Sequence, residues 1–132
     1  MADTTAFELV TPSRVMMSRD AGMVVAPGVE GLFGVLPRHA PLISTLKRGV
    51  VEVHDNGQVT ERIMVDGGIA DVAEDRCTIL AERAETLDSS RKAELEAKHQ
   101  AAKDAGNDAE AEFLKEVIAA LSTTVSGTQR SA

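Results

Sequence analysis

Cys77, His39 and Asp71 are the residue types of a nucleophile, a base and the acid that orients the base. Triads assemble in space rather than in sequence order, so spacing alone does not forbid one here. A nucleophilic thiolate, however, needs its pKa lowered by a helix N-terminus or a nearby cation. Cys77 sits in RCTIL on the inward parity of an expected strand, with no helix start beside it. Its expected role is that of a small buried hydrophobe. His54 falls on the outward parity of a strand beside a turn and His99 on a polar helix face, so both read as solvated. No pair of His, Cys, Asp or Glu has compact ligand spacing such as HxxxH or CxxC, so no metal site is expected. Phosphate binding needs a glycine-rich turn that feeds a helix N-terminus. Gly28, Gly31 and Gly34 run instead into Pro37 and Pro41, with no helical pattern after them, and no Walker pattern occurs. No cofactor is required by this residue set.

What remains is the stretch GLFGVLPRHAPL at residues 31–42. It is too broken by Gly and Pro for an ordinary strand interior and too apolar for a solvated turn, so it reads as a shaped loop. Gly31 and Gly34 open backbone conformations closed to other residues. Pro37 and Pro41 stiffen the exit and reduce the entropy lost on docking. Leu32, Phe33, Val35 and Leu36 cannot all point inward over so short a span, which points to an exposed apolar patch and hence an interface. The competing reading is a loop that caps one end of the core.

The elements that carry this loop fall into two regions. At 132 residues, the chain holds one ordinary domain or a domain with a small appendage. Hydrophobic residues make up 43% of it, but aromatics are limited to three Phe, with no Trp or Tyr. A net charge of −7 with no stacking platform argues against nucleic acid. A single cysteine excludes an internal disulfide and fits a reducing compartment. No run approaches the ~20 apolar residues of a membrane span, and MADTTAFELVTP lacks the flank of a signal peptide. The expectation is a cytosolic protein, or one peripheral on a membrane complex without inserting into it.

Up to about residue 86 the apolar pattern has period two, with Phe7/Leu9, Val51/Val53 and Cys77/Ile79 on one parity. Turn signals punctuate it, above all Asn56-Gly57, whose residues tolerate the positive φ of primed hairpin turns. Short strands without helices between them predict a β-sandwich or small barrel over 1–86. From residue 87 the composition turns to Ala, Glu, Lys and Arg, with Asp88 as an N-cap. Gly106 supplies a stop, and Asn107 with Glu110 has capping-box spacing. Two antiparallel helices of about 17 residues, roughly 25 Å each, are predicted over 87–132. The second carries Phe113/Leu114, Val117/Ile118, Leu121 and Val125 at spacings of three and four, the first a narrower stripe of Leu95, Ala101 or Ala102, and Ala105. The tail SGTQRSA is expected to fray.

The run GVEGLFGVLPRHAPLISTLKRG closely resembles the signature loop of the epsilon subunit of bacterial F-type ATP synthases, called delta in mitochondria. Gly34, Val35, Leu36, Pro37, His39, Ala40, Pro41, Leu42 and Gly49 carry it. VDGGIADVAEDRCTILAERAE, residues 65–85, is similar to a second family motif. The resemblance covers the whole chain. It implies a sandwich of about ten short antiparallel strands followed by a helical hairpin. It also implies a rotor component of the central stalk rather than an enzyme, on the cytoplasmic face of the inner membrane. Its implied partners are the gamma subunit, the polar loops of the c-ring and, through the hairpin, the alpha/beta head. The docking residues it implies are Glu30, Gly31, Leu32, Phe33, Gly34, Pro37, Arg38, His39 and Pro41, with His39 an interface or loop-bracing residue rather than a base.

The chain departs from the family pattern in three places. Many relatives have an acid between the two glycines of GxxG, where this chain has Leu32, so the contact rests on Glu30 or is more apolar. Some relatives bind ATP on the hairpin; Leu87, Asp88 and Arg91 match that motif but Lys92 does not, which leaves an ATP-sensing module as the alternative reading. Inhibitory relatives carry basic residues on the second helix. Residues 107–132 hold Lys115 and Arg130 against Asp108, Glu110, Glu112 and Glu116, so self-inhibition is expected to be weak or absent.

Overall fold

The computed structural model describes residues 4–130, with side chains through residue 121. The chain divides into two compact units, Met1–Thr86 and Leu87–Ala132. The first holds ten strands: β1 (Thr5–Thr11), β2 (Arg14–Ala21), β3 (Met23–Gly28), β4 (Gly31–Val35), β5 (Leu42–Leu46), β6 (Gly49–Asp55), β7 (Gln58–Val65), β8 (Gly68–Val72), β9 (Arg76–Leu80) and β10 (Ala84–Thr86). Their hydrogen-bonded order is β10-β7-β6-β3-β5-β8-β9-β1-β2, with β4 attached to β3 alone. The sheet changes leaf at β3, which pairs β6 through Met23–Val25 and β5 only at Gly28↔Leu46.

Alternation decides what lies between the leaves. Phe7, Leu9, Val24, Val35, Val51, Val53, Ile63, Val65, Cys77 and Ile79 are all buried in one core. Each such side chain contributes about 1.5–3 kcal/mol by leaving water. At the β6–β7 turn, Asn56 and Gly57 take φ 54° and 78°, the left-handed pair that a primed turn requires.

Three expectations are corrected. The strands are not all antiparallel: β1 runs parallel to β9, from Ala6↔Arg76 to Val10↔Leu80. Parallel neighbours need a long crossover, and here the chain from β2 to β8 provides it without any helix. Residues 31–35 are not loop but strand, in five pairs with β3 from Gly28↔Gly31 to Val24↔Val35. Gly34 is tolerated there because β4 has a partner on one edge only.

The helices, finally, are unequal. Asp88 caps a 3-10 turn, Ser89–Arg91, so α1 (Lys92–Asp104) has 13 residues, whereas α2 (Asp108–Arg130) has 23. Gly106, at φ 74°, stops α1: Asn107 N–H reaches Ala102 O at 2.9 Å and Gly106 N–H reaches Lys103 O at 3.1 Å. The Asn107 side chain then receives the Glu110 N–H at 3.2 Å and donates to the Glu110 carboxylate at 3.1 Å, starting α2. Leu95 and Ala102 are the buried members of the first stripe, Ala101 and Ala105 being exposed, and Phe113, Leu114, Val117 and Leu121 are buried in the second. The side chains of Val125 and of the SGTQRSA tail lie outside those described.

Candidate functional site

Catalytic chemistry finds little support. Cys77 is fully buried, and burial, helped by the Asp71 charge, pushes its thiol up to about 11. A thiol so placed is neither ionised nor reachable at neutral pH. Among the described residues no group of three His, Cys, Asp or Glu side chains could hold a metal ion. His39 donates its Nδ1–H to the adjacent Ala40 carbonyl at 2.6 Å, a bracing contact within its own turn.

Asp88 and Arg91 serve the start of the hairpin. The Asp88 carboxylate accepts the Ser90 N–H at 3.0 Å and the Ser90 hydroxyl at 2.9 Å, and these bonds hold its pKa below the usual carboxylate value. Arg91 grips Glu94 through two nitrogens, at 2.8 and 3.2 Å.

The apolar residues gather differently. After β3, Val29 and Glu30 turn the chain into β4, and Gly31 takes φ 131° there. The Phe33 ring folds back over Gly28, where a Cβ would lie 3.1 Å from ring carbons and 2.9 Å from the Gly31 carbonyl. Between this turn and β5 opens a cleft of about 520 Å³, lined by residues 28–33 and 42–45. Leu32 and Ile43 stand on its walls 72% and 73% exposed, joined by exposed Val29 and Leu42. The structure thus brings Glu30, Gly31, Leu32 and Phe33 around one cleft. Gly34, exposed and opposite Val25, and Pro37, Arg38, His39 and Pro41 do not line it.

Those last four residues form a rigid exit. Leu36–His39 is a type II turn, with Pro37 second, Arg38 third at φ 65°, and His39 N–H bonded to Leu36 O at 3.1 Å. A left-handed arginine costs about 1 kcal/mol or more. The Arg38 N–H is held by the Glu74 carbonyl at 2.7 Å, which pins the turn to the β8–β9 connection.

A second surface escaped the sequence reading. The registers Thr45↔Ile69, Ile69↔Leu80, Leu80↔Val10 and Val10↔Val15 align five outward residues across β5, β8, β9, β1 and β2. Ile69, Leu80 and Val15 are exposed, and a shallow cleft of about 400 Å³ lies along Val10, Pro12, Ile69, Leu80 and Ala81. Thr45 belongs to both surfaces, so they adjoin. The signal was present in pairs such as Leu9-Val10, Ile79-Leu80 and Leu42-Ile43, since two consecutive strand residues cannot both face the core.

A family model described as the beta-sandwich domain of the ATP synthase delta/epsilon chain matches residues 4–87. The ATP synthase epsilon chain of Rhodospirillum rubrum is 49% identical over 115 residues, covering 87% of this chain and 86% of that one. That of Paramagnetospirillum magneticum is 44% identical over 112 residues, covering 85% and 84%. Among solved structures, a chain of the Euglena gracilis mitochondrial ATP synthase, in its OSCP/F1/c-ring assembly, shares the fold. It matches with a TM-score of 0.63 at 19% identity, over 95% of this chain and 83% of that one.

Proposed function

The chain belongs to the delta/epsilon-chain family of ATP synthases, and from that premise we propose that it is a non-catalytic rotor subunit of the central stalk. It holds the gamma subunit with the apolar row of Ile69, Leu80, Val10 and Val15 across β8, β9, β1 and β2. It meets the polar loops of the membrane c-ring with the cleft between the β3–β4 turn and β5. Proton-driven rotation then passes through it towards the catalytic head, and no bond is made or broken within it. Among the described residues no helix is long and apolar enough to cross a membrane, and the chain joins the cytoplasmic face of the membrane only through the complex.

The observation that carries this reading is the pair of adjoining exposed apolar surfaces, which a subunit linking two partners needs and an enzyme does not. Its test is the full chain mixed with isolated gamma subunit, followed by gel filtration and calorimetry. A one-to-one complex is expected, and Leu80→Asp in the middle of the row should weaken it about tenfold or more while leaving the melting temperature unchanged. Absence of any complex would overturn the rotor reading. Unchanged affinity of the variant would move gamma off the row.

The hairpin is assigned to the same subunit without a nucleotide role. Asp88 and Arg91 are engaged by Ser90 and Glu94 as a helix start, which supports the cap over an ATP site. Heat released on titrating ATP into the full chain would reverse that assignment. The acidic bias of α2 supports weak self-inhibition at the alpha/beta head. A several-fold rise in ATP hydrolysis by the assembled complex on deleting residues 87–132 would reverse that too.

A further inference from the structure

We propose that Asn56, at the tip of the β6–β7 hairpin, is the residue at which this chain deamidates, and that the isoaspartyl product loosens the hairpin. The side-chain amide is lost as ammonia through attack by the backbone nitrogen of Gly57. The tip lines neither of the two apolar clefts, so this chemistry stands apart from the rotor role.

The chain has two asparagines, and their surroundings differ. Asn107 is followed by Asp108, and its side chain is held at both atoms. Its oxygen accepts the Glu110 N–H at 3.2 Å and its nitrogen donates to the Glu110 carboxylate at 3.1 Å. Asn56 is exposed, and its amide makes no hydrogen bond among the described residues. Gly57 follows it, also exposed, and a Cβ there would meet nothing within 4 Å. Glycine sets no side chain beside its own nitrogen, so the path from that nitrogen to the Asn56 side-chain carbon is open. The turn closes on the Asp55↔Gln58 pair, which leaves the Gly57 N–H outside the ladder. A two-residue tip exposed in this way opens locally at little cost, which lets the two atoms meet.

Hydroxide takes the Gly57 amide proton, and the nitrogen attacks the Asn56 Cγ. The bond from Cγ to the side-chain nitrogen breaks, and that nitrogen leaves as ammonia with a proton from water, which restores the hydroxide. A cyclic succinimide remains, and water opens it at either carbonyl. Opening at Cγ gives aspartate. Opening at the main-chain carbonyl gives isoaspartate, whose backbone runs through Cβ. In sum one water is consumed, one ammonia is released and nothing is oxidised. Aspartate accepts a left-handed φ much as asparagine does, so the turn survives that product. Isoaspartate adds a main-chain carbon to a turn of two residues, and the length of that turn fixes the register of β6 against β7. Asp55, directly before it, accepts the Gly22 N–H at 3.1 Å and the Thr60 hydroxyl at 2.7 Å. A disturbed turn strains both bonds.

The test ages the full, folded chain in neutral and in alkaline buffer and follows its peptides by mass spectrometry, with isoaspartate counted by an isoaspartyl methyltransferase. Conversion at Asn56 should run about tenfold or more faster than at Asn107, and should quicken with pH because hydroxide is the base. Asn56→Gly keeps the turn, since glycine takes the same left-handed φ, and should remove nearly all of the isoaspartate. The modified chains, separated by their added negative charge, should unfold at lower urea than the Asn56→Asp variant, which should match the parent. No conversion at Asn56, or a rate like that at Asn107, overturns the site. Modified chains as stable as Asn56→Asp overturn the loosened hairpin.

Discussion

At one end of β3 the bend at Gly22 is tied to the Asp55 carboxylate, which accepts the Gly22 N–H at 3.1 Å and the Thr60 hydroxyl at 2.7 Å and pairs with Arg19. At the other end, one strand length of roughly 20 Å away, the Val29–Glu30 turn opens a cleft on which aliphatic Val29, Leu32, Leu42 and Ile43 are exposed beside Glu30 and Thr45. The Asp55 end satisfies its charges within the fold and has little left to offer a partner. The cleft end holds its frame by backbone hydrogen bonds and leaves its apolar side chains unmatched. An ion pair seen on a surface is weak evidence for a binding site, because its partner is already present. Unmatched apolar area on a fixed backbone is the stronger sign.

The largest expected effect breaks the frame under the apolar end. Gly68 opens β8 at φ 125°, paired with Leu46, and a Cβ there would lie 2.1 Å from the Leu80 carbonyl and 2.9 Å from the Ala81 Cα. Both neighbours are backbone, so no side chain can swing away. Gly68→Ala should cost about 3 kcal/mol or more, read as a fall in the urea midpoint, and should disturb the apolar row through Leu80. A midpoint within experimental error of the parent would show that the frame yields easily, and the contrast of a rigid apolar end would go with it.

A smaller effect sharpens the polar side of the comparison. Asp66 joins Arg48 at 2.8 Å and Arg83 at 2.9 Å, linking three connections between strands. Burial pushes its carboxyl up, but the hydrogen bonds and charges of the two arginines outweigh burial and hold it below its ordinary 3.8. A carboxyl depressed in the folded state contributes stability in full above the unfolded value and loses it as pH falls through the folded one. Asp66→Asn should therefore cost on the order of 1–2 kcal/mol at neutral pH. The gap between parent and variant should close below pH 3.8 as the parent protonates. A gap of constant size down to about pH 2 would mean that ionisation of Asp66 is not what the clamp uses.

Much of this was legible in the sequence. Alternation found the inward residues Phe7, Leu9, Val51, Val53, Cys77 and Ile79 because each strand has one wet and one dry face. Asn56-Gly57 and Gly106 announced their turns because few other residues accept positive φ. The parallel pairing of β1 with β9 left no local trace, since register between strands so distant in sequence is decided by the whole sheet. The strand at residues 31–35 was masked by its glycines, which a strand with one free edge tolerates. The site was half legible. Leu32 and Phe33 were found in one short segment, whereas Val10, Val15, Ile69 and Leu80 become a row only once three registers are known.

The smallest effect tests the rule that buried side-chain polar atoms in this unit are satisfied internally, at its one exception among the described residues. Thr5 is 1% exposed in β1, opposite Ala21, and its hydroxyl finds no partner among the described residues. A buried hydroxyl left unbonded keeps its desolvation cost of about 1–3 kcal/mol without return. Valine has nearly the same shape, suits a strand equally well and carries no group to leave dry. Thr5→Val should accordingly stabilise the protein by about 1 kcal/mol, raising the urea midpoint without changing the slope of the transition. Binding to gamma should be unaffected, because Thr5 lies inside the sheet and off both apolar surfaces. If the variant is less stable instead, the hydroxyl must have a hydrogen-bond partner in solution, an ordered water being the simplest. The Asp55 end of β3 and the core beside β1 would then follow one rule, in contrast to the exposed aliphatic residues, which still await a partner.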